Sequence, residues 1–139
     1  MPKAKAVQIK GVTFMGLTDS NHWVPMDGPS QFGGSDAGIR PKELMLLALA
    51  GCTGSDVASI LDKMRVPYKK FEVDIEAEMA EEHPKVYTKI DIIYRFWGES
   101  LDTSKLERAI ELSETTYCAV SAMLKKSTEV NTRYVVNPD

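Results

Sequence analysis

Cysteine is scarce in this chain, with two residues, Cys52 and Cys118, among 139. So few exclude a disulfide-dense secreted scaffold, and no CxxC or HxxxH spacing supports a metal site. Histidine is equally sparse: His22 and His83 fall in separate turn-like stretches and read as surface residues. A dominant charge of one sign is also missing. Seventeen basic residues are scattered among 20 acidic ones, for a net charge of -3, which gives no footprint for nucleic acid or an anionic membrane. The longest apolar run, Leu44 to Ala50, is too short to span a bilayer. MPKAKAVQIKG at the start carries no apolar signal-peptide core, so the expectation is a cytoplasmic protein, where a permanent disulfide is uncommon. No phosphate loop of the Walker or dinucleotide type occurs; Gly33-Gly34 before Ser-Asp reads as a turn.

What is present is a length suited to one domain, taken as 1–139, able to bury a real core. Lys5 to Asp27 reads as strands, with a turn at Thr18–His22 and an edge strand marked by Pro25. Gly28 to Arg40 is a Gly-, Ser-, Asp- and Pro-rich loop, long enough to be functional. Pro41 suits a first helical position, and the helix it opens runs to about Met64. Phe71, Val73, Ile75, Ala77 and Met79 alternate with charged residues at period two, a half-buried strand. Val86–Trp97 repeats the pattern through Ile90, Ile92, Tyr94 and Phe96. Helices over Ser104–Ser113 and around Cys118–Leu124 follow, then a strand at Val130–Val136. This order predicts an α+β fold with mostly antiparallel sheet.

The first half of the long helix, LMLLALA, is apolar on every side, the mark of a helix buried all round. Few other helices exist to cover it. A second copy of the same helix across a two-fold axis is the simplest cover, so an intertwined homodimer is expected; the competing arrangement is a monomer whose sheet wraps the helix. Gly51 and Gly54 flank Cys52 and suit close approach of another backbone.

Thiol chemistry requires a thiolate, and its surroundings decide how easily one forms. Cys118 lies in the first turn of its helix, where free N–H groups favour negative charge, whereas Cys52 is mid-helix. Local sequence therefore names Cys118 the more acidic thiol. The alternative makes both cysteines small buried hydrophobes. Glu43 precedes the apolar run and reads either as a site carboxylate or as a charge favourable to the helix N-terminus. Nine residues at about 100° place it on the face opposite Cys52, so within one straight helix the two cannot touch.

Three blocks, GGSDAGIRPKELMLLALAGCTGSDVASIL, AEEHPKVYTKIDIIY and RAIELSETTYCAVSAMLKK, give the chain a wider likeness. Across nearly its full length it resembles the OsmC/Ohr family of osmotically induced and organic hydroperoxide resistance proteins, in the style of the OsmC-like branch. The resemblance implies antiparallel sheets wrapped around long central helices in an intertwined homodimer, with sites at the subunit interface. It also implies a thiol-dependent peroxidase acting on organic hydroperoxides. Cys52 matches the attacking cysteine and Cys118 the resolving one, which reverses the local ranking. An external dithiol, lipoyl-type in the Ohr branch, would reduce the disulfide; no bound cofactor and no metal is implied. Lys42 stands where the peroxidase branch has an acidic residue, and Glu43 matches the OsmC-like glutamate instead. No arginine precedes Arg40, which is the nearby substitute for that branch's strand-borne arginine. Arg40 and Glu43 are thus the expected electrostatic partners of Cys52, reaching it from the other subunit. The apolar run and the Gly28–Ile39 loop would line a pocket for a greasy hydroperoxide. The rival expectation is a non-enzymatic small-molecule-binding or redox-sensing protein on the same fold.

Overall fold

The computed structural model describes all 139 residues, in two compact units, Met1–Leu46 and Leu47–Asp139. The first unit is an antiparallel meander of β1 (Ala4–Lys10), β2 (Thr13–Thr18) and β3 (Trp23–Met26), in that spatial order. Gly11, at φ 56°, turns the chain between β1 and β2, a left-handed conformation that favours glycine. Pro25 lies in β3, the edge strand of this sheet, whose far side makes just an isolated parallel bridge from Met26 to Ile39, so the missing N–H of Pro25 breaks no ladder.

The loop after β3 is organised by a buried carboxylate. Asp27, 1% exposed, accepts from the backbone N–H groups of Gly28 at 2.7 Å, Ala37 at 3.1 Å and Ser35 at 3.1 Å. Burial alone would raise its carboxyl, but these amides outweigh it and hold the group below its ordinary value. The loop folds so closely that a Cβ on Gly34 would lie 2.0 Å from the Gly28 carbonyl oxygen. Only glycine fits there.

The second unit holds most of α1 (Glu43–Lys63), then β4 (Lys70–Met79), β5 (Tyr87–Trp97), α2 (Thr103–Leu112), a π-helical turn (Ser113–Tyr117), α3 (Ala119–Leu124) and β6 (Glu129–Val136). Strands β4 and β5 pair antiparallel across a turn that contains a cis His83–Pro84 bond. Strand β6 instead lies parallel to β5. The α2–α3 segment returns the chain to the end where β5 began, as a parallel crossover requires. Strand β5 is the middle strand, and Ile90, Ile92, Tyr94 and Phe96 are buried as their alternation predicts. Ile93, on the other face, is buried too.

Helix α1 departs from all-round burial. Its buried residues are Leu49, Thr53, Val57 and Leu61, a stripe spaced four apart on one side. Leu47 is 58% exposed and Met45 46%. Within the chain the sheet covers a single face, and the remaining apolar surface is open. At 21 residues, the whole helix is long and apolar enough to cross a membrane by length and composition, although its longest apolar run is not.

A candidate redox site built on two cysteines

Cys52 lies midway along α1 and is half-buried; Cys118 caps the N-terminus of α3 and is 4% exposed. Cys118 is fixed there by the preceding π-helical turn, since its N–H donates to the Ser113 carbonyl at 2.9 Å. The two sulfurs and a carboxylate oxygen of Asp56 all lie within 4.8 Å of one another. Asp56 is four residues past Cys52, one helical turn further on the same face. Its spacing was visible in the sequence, but nothing in the sequence set a second thiol beside it.

The Cys118 thiol is pushed up to about 11. Burial is the largest cause; the Ser121 N–H, which donates to its sulfur at 3.3 Å, pulls the other way, while Cys52 and Asp56 add to the rise. The sequence expectation that a helix start makes Cys118 the more acidic thiol therefore fails for this group. A six-residue helix contributes one N–H to the sulfur, and loss of water outweighs it.

Behind the cysteines runs a line of buried hydroxyls. Tyr94 from β5 and Thr53 from α1 are hydrogen-bonded through their oxygens. Thr53 Oγ1 lies 3.0 Å from Ser113 Oγ, and Ser113 Oγ donates to Asp56 Oδ2 at 3.1 Å. Burial, first among the causes, pushes the Tyr94 phenol up to about 12. No motif or spacing in the sequence marks Asp56, Thr53, Ser113 or Tyr94 as a site residue. The alternation of β5 places Tyr94 in the core, and only the packing of β5 on α1 turns its hydroxyl into a site group.

Arg40 and Glu43 belong to the first unit, and there they organise the start of α1. Glu43 Oε1 accepts from the Arg40 backbone N–H at 3.0 Å, half of a capping box. The Arg40 guanidinium pairs with Asp36 at 2.7 Å rather than with Glu43. The favourable-charge reading of Glu43 is thus realised within the chain.

A cleft of about 410 Å³ shares Asp56 with the cysteine cluster and is lined further by Ser59, Ile60, Lys63, Met64, Leu112 and Tyr117. Its wall is chiefly apolar, with one ammonium and one carboxylate, a lining suited to a small amphiphile.

A mixed α+β chain with a half-buried thiol in its long helix, and a buried thiol at a helix cap whose sulfur lies within 4.8 Å of the first, is a dithiol protein. More narrowly, the chain belongs to the OsmC family: the family profile described as OsmC-like protein matches residues 33–133. It is 35% identical over 134 residues to Protein YhfA of Escherichia coli K12, covering 96% of this chain and 97% of that one. A hypothetical protein from Aquifex aeolicus shares the fold with a TM-score of 0.85 and 30% identity, over 99% of this chain and 96% of the other. The organic hydroperoxide resistance protein OhrB of Bacillus subtilis superposes with a TM-score of 0.66 over 97% and 98% of the two chains; at 14% identity the likeness is one of fold.

Proposed function

We propose that the protein is a thiol-dependent peroxidase that reduces organic hydroperoxides through a two-cysteine cycle. The observation that carries this reading is the pair of sulfurs within 4.8 Å of each other. A disulfide needs about 2.05 Å, so closure asks for a local shift rather than a rearrangement of the fold. In the cycle, the Cys52 thiol gives up its proton, the thiolate attacks the terminal peroxide oxygen, the O–O bond breaks, and the alkoxide takes up that proton and leaves as the alcohol. Cys52 is left as a sulfenic acid. Attack by Cys118 on the Cys52 sulfur forms the disulfide and releases water. An external dithiol, lipoyl-type or similar, restores both thiols by exchange and is itself oxidised.

Cys52 is the better attacker because it is half-exposed, whereas Cys118 is buried and its thiol is raised. The apolar cleft beside Asp56 suits the organic part of a hydroperoxide. The proposed assembly is an intertwined homodimer of a single 1–139 domain, in which the open face of α1 is covered by its counterpart. There, Arg40 and Glu43 act as electrostatic partners of the other subunit's Cys52. The cytoplasm, where dithiol reductants are available, is the proposed location.

A second reading, a ligand-binding or redox-sensing protein with little turnover, draws on one observation: an Asp56 carboxylate oxygen lies within 4.8 Å of both sulfurs, and a negative charge there disfavours a thiolate. One experiment separates the two. Reduced protein is mixed with cumene hydroperoxide or with hydrogen peroxide, and free thiols and the Cys52–Cys118 disulfide are followed by mass spectrometry. Rapid disulfide formation, faster with the organic peroxide, supports the peroxidase; thiols inert to both reagents sink it.

A further inference from the structure

Three buried hydroxyls converge on one carboxylate. Tyr94 and Ser113 are 0% exposed and Thr53 is 1% exposed, in a core that is chiefly aliphatic. Each hydroxyl has a single hydrogen to donate, and the carboxylate can only accept. Ser113 therefore donates to Asp56 Oδ2, leaving its oxygen to accept from Thr53, which accepts in turn from Tyr94. Burying hydroxyls is costly unless each finds a partner, and a core needing only volume would use Val, Ala and Phe at these positions. The line has one terminus, the Asp56 carboxylate, and that carboxylate lies within 4.8 Å of both sulfurs.

We propose that Asp56 is the catalytic base of the resolving step, carrying the Cys118 thiol proton to the oxygen that leaves the Cys52 sulfenic acid. The assignment rests on the peroxidase reading above. The Cys118 S–H bond breaks as its sulfur forms the S–S bond with Cys52, and Asp56 takes the proton. The S–O bond of the sulfenic acid breaks, its sulfur is reduced to the disulfide level and Cys118 is oxidised to it. Asp56 passes the proton to the departing oxygen, which leaves as water, and the carboxylate is restored. Thr53, Ser113 and Tyr94 are positioning residues that hold the carboxylate in place.

Chemistry makes such a base necessary. Cys118 is 4% exposed and burial raises its thiol, so the sulfur holds its proton and a neighbouring acceptor is needed to take it. The titratable groups acting on it are Cys52 and Asp56, and those acting on Tyr94 are Glu114, Cys118 and Asp56. Reach through one water, or by a small side-chain turn, is within what general-base catalysis uses.

The test exploits a difference in sign. As a mere like-charged neighbour, Asp56 would hinder thiolate formation, and its neutralisation would speed disulfide closure; as the base, its loss slows closure. Reduced full-length protein is given one equivalent of cumene hydroperoxide, the Cys52 sulfenic acid is trapped with dimedone, and the disulfide is followed by mass spectrometry. Asp56→Asn should slow disulfide formation about 100-fold, with the trapped sulfenic acid rising accordingly, and Asp56→Glu should recover part of the rate. Ser113→Ala should slow closure about tenfold, and it decides the question if Asp56→Asn does not fold. Closure at the wild-type rate or faster in the deciding variant overturns the assignment. Sulfenic acid that resolves normally in wild type but not in Asp56→Asn upholds both readings. Wild-type protein that forms neither sulfenic acid nor disulfide overturns the peroxidase reading and the base with it.

Discussion

Two influences of opposite sign meet on the sulfur of Cys118: loss of water raises its thiol, and the N–H of Ser121 lowers it. Burial prevails, and the consequence is a pH dependence of stability. A raised thiol means the folded protein favours the protonated form, so this contribution is intact below about pH 9, the ordinary value, and is lost as pH climbs through about 11. Tyr94, raised from 10.0 to about 12, acts in the same direction slightly higher. Urea midpoints should therefore fall between about pH 9 and 11, and Cys118→Ala should flatten the fall. An unchanged profile in the variant would show that Cys118 is not the responsible group. The cysteines themselves were evident in the sequence. Their neighbour Asp56 was not, because a carboxylate on a helix has no assigned companion until another element is packed against it.

Among the elements, α2 and α1 owe their stability to different things. Asp102 caps α2, accepting from the Ser104 N–H at 3.0 Å and from the Ser104 hydroxyl at 2.6 Å. Removing the cap in Asp102→Ala should lower unfolding free energy by about 1 kcal/mol in urea titration. Leu61, 0% exposed in the buried stripe of α1, is a packing residue, and Leu61→Ala should cost about 2–5 kcal/mol in the same measurement. A similar loss for both would mean that the cap carries more than local hydrogen bonding. Strand and helix positions were legible from period and punctuation: Pro25 at an edge, alternation along β4 and β5, and a helix opened near Pro41. The parallel pairing of β6 was not. A strand's own pattern says which residues face inward but not the direction of the strand beside it.

At the scale of the whole molecule, the open face of α1 is the feature a single protomer leaves unexplained. A shallow groove there is lined by Leu47, Ala50, Gly51, Gly54, Ser55 and Ala58 together with Phe71 and Val73. A Cβ added at Gly51 would meet nothing within 4 Å in the protomer. Gly51→Leu should therefore leave the protomer folded, with a helix gain of up to about 1 kcal/mol, while impairing the proposed dimer. Sedimentation velocity should show wild-type dimers and a shift of the variant toward monomer. Wild-type protein that sediments as a monomer would defeat the proposed assembly.

The sequence by itself determined the mixed α+β class, the family, the apolar long helix and the presence of two thiols, because periodicity, composition and block order are properties of the chain read in a line. Tertiary structure decided what those thiols meet. It set Cys118 in a dry environment that its own helix start does not overcome, and it brought Tyr94, Thr53 and Ser113 from three elements into one hydrogen-bonded line ending at Asp56. Desolvation and hydrogen bonding between distant residues depend on packing, and packing is the part of this protein that no local pattern encodes.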